Sequence, residues 1–302
     1  MRSRGPVLVT GGAGTVTRWL VRASPDGADL VVTERSTPVP DDVRARSAVH
    51  RVDLTDGDAV LRLITGLQPD VVVHTAYSMA DRADIVDATG AVAAACAATG
   101  TALVHLSTDV VFSGRRPPYR EGDPVDPVND YGRWKAEAER VATAAVPDVC
   151  ITRTSLVVAV APPDRSTATF LGRVTDGTVV RLFHDEWRQP ILAEDLAAEL
   201  WALLALDRTA RSGVWHLPGP ERLSRLELGL RLAQAAGVDG STAAATVEPA
   251  SAATHPTPRP RDLTLVGERR RSLGHPPRPV PADSGGPRTA HYGVDDGQEA
   301  QR

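Results

Sequence analysis

The chain has 302 residues and a formal net charge of −4, with 42% hydrophobic and 24% charged residues. That length supports one large domain or two unequal ones, and the balance is that of a globular enzyme with no basic field for nucleic acid. No apolar run approaches the roughly 18 residues a bilayer span needs, and the chain runs from Met1 straight towards a strand, so we expect no leader, no membrane association and a cytoplasmic location.

In chain order, residues 6–10 (PVLVT) read as a first strand, followed by glycines and a helix over 16–23. Residues 29–33 (DLVVT) and 48–53 (AVHRVD) give two more strands, with a helix over 57–66. Residues 69–75 (PDVVVHT) form a fourth strand, and an Ala-rich helix follows over 85–99. A fifth strand over 102–106, a helix over Asp130–Ala145 and a sixth strand over 149–154 complete the series. Strands that are apolar throughout and alternate with helices imply a parallel sheet covered on both faces. With right-handed crossovers this is a doubly wound, Rossmann-type α/β sheet.

After residue 155 the rhythm changes. Helices over 194–206 and 224–236 flank a strand-like Gly213–Leu217 (GVWHL). The expected division is a dinucleotide-binding domain over 1–154, a smaller substrate domain over 155–280 with part of the chain returning to the sheet, and a disordered polar tail over 281–302. Cys96 lies in the Ala-rich run and Cys150 in the sixth strand, so both read as buried apolar residues. The eight histidines show no metal-ligand spacing, and no metal is expected.

The run TGGAG at 10–14 follows the first strand and opens a helix. Gly11 and Gly14 allow a tight turn and let backbone N–H groups, including those of Thr15 and Val16, approach a pyrophosphate at the helix N-terminus. Such a turn is also an ordinary strand–helix connection, but its place at the head of an alternating α/β chain favours NAD(H) or NADP(H). The spacing calls for a third glycine at position 17, where Thr17 stands and is expected to push the helix outward. Glu34, about 20 residues on, is placed to bind the adenosine ribose. Arg35 beside it is placed to hold a 2′-phosphate instead, so the pair leaves NAD and NADP open. Asp53 and Leu54 sit where an adenine edge would be met. Thr75, Ala76 and Tyr77 form the turn after the fourth strand.

Tyr131 and Lys135 are four residues apart and share one helix face. An ammonium one turn from a phenol, with an oxidised nicotinamide nearby, favours the phenolate, so the pair suits proton exchange with a carbonyl oxygen during hydride transfer. Taken alone the spacing also suits a surface pair. Ser107, Thr108 and Asp109 close the fifth strand at the carboxyl edge of the sheet, where such folds bind ligands. Glycine turn, edge hydroxyl and Tyr/Lys helix therefore occur in the order the chemistry requires.

These residues carry a family resemblance, running from about residue 7 to 273. LSTDVVFSG at 106–114 is similar to the STDYVFDG segment of the dTDP-4-dehydrorhamnose reductase family, among the extended short-chain dehydrogenases. PY at 118–119, Glu121, DP at 123–124, Pro127 and NDYGRWK at 129–135 resemble its PY-E-DP-P-N-YG-K run. RTS at 153–155, DLA at 195–197, WHLPGP at 215–220 with Leu223 and Ser224, and HPTPR at 255–259 resemble later landmarks. The resemblance implies NAD(P)H-dependent reduction of a nucleotide-linked 4-keto deoxysugar, with Thr108, Tyr131 and Lys135 as catalytic residues. It further implies that Thr108, Asp109 and Arg259 meet the sugar nucleotide, and it leaves a homodimer open. Val110, Leu156 and Val158 stand where the family commonly has aromatics, and His74 replaces an asparagine in the turn near the cofactor. A nucleotide-sugar epimerase or dehydratase, or a non-catalytic cofactor-binding regulatory subunit, are the alternatives. Arg188 at the head of a second-domain helix, and Arg259 and Arg261, are further candidates for phosphate contacts; Glu268 with the three arginines after it reads as a charged helix face.

Overall fold

The structure is a computed structural model that describes residues 5–79 and 81–282. The expected tail lies outside the described residues from position 283 onward.

The first half alternates as its apolar pattern requires: β1 (Val7–Thr10), α1 (Thr15–Arg22), β2 (Leu30–Glu34), α2 (Asp41–Arg44), β3 (Ala48–Arg51), α3 (Gly57–Leu67), β4 (Val71–His74), α4 (Ala88–Thr99), β5 (Ala102–Thr108), α5 (Asp130–Ala145) and β6 (Cys150–Thr154). The long helix expected over 85–99 is entered through one π-helical turn, Ala83–Asp87. Helix α3 is capped by the Asp56 carboxylate, which accepts from the Ala59 N–H, and α5 by the Asn129 side chain, which accepts from the Gly132 N–H. Each cap satisfies a first-turn donor that the helix itself cannot.

The second half adds β7 (Val157–Val158), α6 (Arg165–Thr175), β8 (Val180–Phe183), β9 (Trp187–Arg188), β10 (Ile191–Leu192), α7 (Ala193–Ala205), α8 (Arg208–Arg211), β11 (Gly213–Leu217), β12 (Leu223–Ser224), α9 (Arg225–Ala235), α10 (Gly240–Thr246) and β13 (Val247–Ala250). Strand β11 pairs in parallel with β6, so the seven-stranded sheet has the order β11-β6-β5-β4-β1-β2-β3. Every pairing within it is parallel. The chain order reverses at β1, which lies between β2 and β4; this is where such sheets open a ligand crevice at their carboxyl ends.

Both faces are covered. On one, Val9, Val32 and Val73 pack against Leu20 and Val21 of α1 and Leu196, Leu200 and Leu203 of α7. The Trp201 indole N–H ties α7 to α1 by donating to the Leu20 carbonyl at 2.8 Å. On the other face, Leu8, Val31 and Val72 meet Val60 and Ile64 of α3, Val92 and Cys96 of α4 and Ala142 of α5. Cys96 and Cys150 are buried and unpaired. The remaining elements build a smaller layer with its own apolar clusters. One joins Val158, Leu192, Leu223, Leu228 and Leu232, with Leu156 packed against it.

The run 268–271 is a charged helix face only in part: Arg269–Leu273 forms a 3-10 helix on which Arg271 is exposed, as is Glu268 before it, while the two arginines between them turn inward. Arg269 reaches the carbonyls of Ser212 and Val214 and stacks over Trp215 at 4.0 Å. Arg270 pairs with the buried Glu199 carboxylate and the Pro218 carbonyl. These arginines fasten the last described segment to α7 and β11. No helix among the described residues is long and apolar enough to cross a membrane.

Candidate functional site

At the carboxyl ends of β1, β2 and β4 lies a cleft of about 240 Å³. Its floor is the glycine turn. Gly11 has φ +75°, and a Cβ there would meet Ala76 at 3.0 Å; a Cβ on Gly12 would strike Val39 at 2.6 Å and the Thr33 carbonyl at 2.9 Å. Side chains are thus excluded where the backbone turns. No side chain caps α1 behind Gly14. The first N–H groups of that helix, those of Thr15 and Val16 included, are left for a ligand or water and favour an anion. A glycine-floored cradle ending in an uncapped helix fits a dinucleotide pyrophosphate.

Thr17 does not disturb this cradle. It is fully buried, and its hydroxyl lies 3.0 Å from that of Thr75 and donates to the Thr10 carbonyl at 3.4 Å. Thr75 also donates to the Thr10 carbonyl at 2.7 Å, while the Thr10 hydroxyl accepts from the N–H groups of Thr75 and Ala76. The Thr10 hydroxyl meets His74 Nδ1 at 2.8 Å, and His74 Nε2 meets the Thr89 hydroxyl at 3.1 Å. Position 17 is therefore one member of a hydrogen-bonded threonine–histidine network under the turn. Burial, with Lys135 adding to it, holds His74 neutral and brings its pKa down to about 3.

Glu34, Arg35, Leu54, Thr75, Ala76 and Tyr77 all line the cleft. Glu34 accepts from the Val39 N–H at 3.1 Å and from Arg44 at 3.0 Å. Arg35 forks onto both oxygens of Asp84, at 2.5 and 2.8 Å. Asp53 turns aside: its carboxylate accepts from the N–H and hydroxyl of Thr55 and stands 3.7 Å from Arg35. Ser36, Thr37, Thr55 and Asp84 line the cleft as well, and the sequence reading missed them. The hydroxyls directly after Arg35 offered some signal; Asp84 offered none, lying between periodic segments.

At the other end of the crevice, Thr108 closes β5 and Tyr131 begins α5. The Tyr131 and Tyr77 rings lie 6.1 Å apart, so the phenol borders the cleft wall. Lys135, one turn on, is 4% exposed, and its Nζ donates to the Leu106 carbonyl at 2.7 Å. Burial brings Lys135 down to about 8, against the opposing pull of Glu139. Burial pushes the Tyr131 phenol well above its ordinary value, reinforced by Tyr77 and Asp109 and opposed by the Thr108 hydroxyl. Among the protein's own groups burial dominates, and it holds the phenol neutral.

Behind Lys135 lies a buried network. Ser107 donates to Glu139 at 2.5 Å, and Arg153 forks onto the same carboxylate, with its closest contact at 2.7 Å. It joins β5, α5 and β6, which carry Thr108, Tyr131 and Arg153. Asp109 is buried, accepts from Ser155 at 2.6 Å and lies 3.9 Å from Arg188. Burial raises its carboxyl, against Arg188, Ser155 and Thr108. Arg188 is not at the head of a helix. It lies buried in β9, donates to the Trp187 and Pro260 carbonyls and pairs with Glu186. Arg259 forks onto the same Glu186 and stacks over Phe183, and Arg261 pairs with Asp185. Arg259 is thus linked to Asp109 through Glu186 and Arg188.

The family model described as RmlD substrate binding domain matches residues 5–279. The chain is 30% identical over 278 residues to the dTDP-4-dehydrorhamnose reductase of Mycolicibacterium smegmatis, covering 88% of this chain and 79% of that one. It is 32% identical over 247 residues to methionine adenosyltransferase 2 subunit beta of Danio rerio, covering 76% and 75%. Its fold is similar to a crystal structure of a hypothetical dTDP-4-dehydrorhamnose reductase from Sulfolobus tokodaii, with TM-score 0.74, 26% identity and coverage of 88% and 94%.

Proposed function

The chain belongs to the RmlD substrate binding domain family, and from that premise we propose that it is an NAD(P)H-dependent reductase of a nucleotide-linked 4-keto deoxysugar. The observation that carries this reading is the Tyr131 ring 6.1 Å from the cleft-lining Tyr77, with the Thr108 hydroxyl at its phenol and Lys135 one turn behind. A bound NAD(P)H would supply the hydride, and the glycine turn and the N-terminus of α1 would hold its pyrophosphate. Tyr131, kept protonated by burial, gives the proton from its Oη to the ketone oxygen, which becomes a hydroxyl. Thr108 orients that oxygen with a hydrogen bond, and Lys135, anchored on Leu106, fixes the helix face that carries the phenol. Arg259, one third exposed although paired to Glu186, is the residue we assign to the sugar nucleotide side, and Asp109 stands behind that side on Ser155 and Arg188.

Incubation of the purified protein with NADH or NADPH and dTDP-4-dehydrorhamnose tests this. Loss of reduced-nicotinamide absorbance that depends on the sugar is expected; absence of turnover with both cofactors would refute the assignment. The similarity to methionine adenosyltransferase 2 subunit beta favours one second reading, a non-catalytic regulatory subunit. That reading predicts a partner enzyme whose activity changes equally on adding wild type or Tyr131→Phe.

A further inference from the structure

The adenosine end of the cleft is crossed by one ion pair. Arg35 follows β2, and Asp84 sits on the π-helical turn after β4, so the pair reaches from one wall to the other. Both guanidinium N–H groups facing Asp84 are used, one per carboxylate oxygen, in the fork geometry that makes such pairs strong. The Asp84 side chain is 16% exposed and that of Arg35 is 49% exposed, so the carboxylate is the more sheltered partner. Glu34 stands beside them with Arg44 on its carboxylate, and Asp53 lies 3.7 Å from Arg35. Around this end three carboxylates, Glu34, Asp53 and Asp84, face three arginines, Arg35, Arg44 and Arg51, the last donating to the Arg35 carbonyl at 3.1 Å.

The two nicotinamide cofactors differ by one group at this place. A 2′-hydroxyl can donate to a carboxylate and leaves the Arg35–Asp84 pair intact. A 2′-phosphate is a dianion that accepts only. Asp84 leaves three of the five Arg35 N–H groups free, but a phosphate that takes them shares one cation with the Asp84 carboxylate, and two anions then stand side by side on it.

We propose that Asp84 is a specificity-determining residue, which disfavours NADPH relative to NADH by holding Arg35 across the adenosine end of the cleft. The inference rests on the reading of this cleft as the dinucleotide site. Arg35 is then not a free phosphate anchor, although its place after β2 suggests one. Removing Asp84 releases it.

Affinities of NADH and NADPH for the full-length protein, measured by calorimetry, test this in wild type, Asp84→Asn, Asp84→Ala and Arg35→Ala/Asp84→Ala. The ratio of NADPH to NADH affinity is expected to rise on the order of 10-fold in Asp84→Ala and by less in Asp84→Asn, which keeps a hydrogen bond but loses the charge. In the double variant the gain should vanish, because there is no guanidinium to release. An unchanged or lower ratio in both single variants, with NADH still bound, overturns the role of Asp84. Wild type that binds neither cofactor overturns the reading of the cleft itself. Should Asp84→Ala misfold, the Asp84→Asn ratio alone decides.

Discussion

Replacing Glu139 with glutamine isolates the network behind Lys135. The glutamine keeps the size and one hydrogen-bonding oxygen but leaves Arg153 charged and without a carboxylate. Arg153 and Glu139 are 5% and 7% exposed, and Arg153 Nη1 already has no hydrogen-bond partner. Breaking a buried pair by removing one charge costs about 3–5 kcal/mol, a large share of a total stability of about 5–15 kcal/mol. At about 2–4 °C per kcal/mol for a chain of this order of size, the melting temperature should fall by about 6–20 °C. The denaturant midpoint should fall with unchanged slope. Glu139→Met/Arg153→Met, which removes both charges, should recover most of the loss. The same carboxylate supports the Lys135 ammonium against burial. Glu139→Gln should therefore lower the Lys135 pKa further below its ordinary value, as an NMR titration of Nζ will read. A variant within about 0.5 kcal/mol of wild type, a range ordinary for surface substitutions, would refute the claim that this network holds β5, α5 and β6 together.

Three further outcomes follow from the same site. Lys135 has a folded-state pKa lowered to about 8 from 10.5, so burying its charge costs stability below about pH 8 and the cost fades towards 10.5. Lys135→Met should then raise stability at neutral pH by about 1–3 kcal/mol, lose that advantage above 10.5 and abolish turnover, as melting and rate measurements across pH will reveal. His74, neutral in the fold with a pKa near 3 against 6.5 unfolded, must take up a proton when the chain unfolds. Stability is lost as pH falls from 6.5 towards 3, and His74→Gln should flatten that slope by about 1.4 kcal/mol per pH unit in urea titrations. Gly12→Ala, whose new Cβ meets Val39 and the Thr33 carbonyl at under 3.0 Å, should weaken NADH binding by at least 10-fold in calorimetry; unaltered affinity would remove the turn from the cofactor site.

Much of the fold could be read from local pattern because the features that fix it are local. Apolar strands of four to seven residues, glycine after β1 and the Asn129 cap of α5 announce themselves over a few positions, and helix Asp130–Ala145 and strand Gly213–Leu217 begin and end where the sequence places them. The sheet edge was less accessible: nothing within GVWHL says that it pairs with β6, 63 positions earlier in the Leu217–Thr154 register. Buried charges were hidden for the same reason. Glu199 and Glu186 find their arginines 71 and 73 residues away, so Arg270 reads as surface charge and Arg259 as a free phosphate ligand until the chain is folded. Asp84 lies outside any period, and only the approach of β2 to the turn after β4 gives it Arg35. Thr17 illustrates the opposite error, a departure from a glycine pattern whose hydroxyl finds partners on β1 and after β4.

Transfer of deuterium from reduced nicotinamide carrying the label at its hydride position, followed by mass spectrometry of the sugar product, tests the central claim most directly. The account predicts one deuterium per sugar with wild type and a rate lower by about 10²–10⁴-fold in Tyr131→Phe. Unlabelled product, or equal labelling rates in the two proteins, would contradict it.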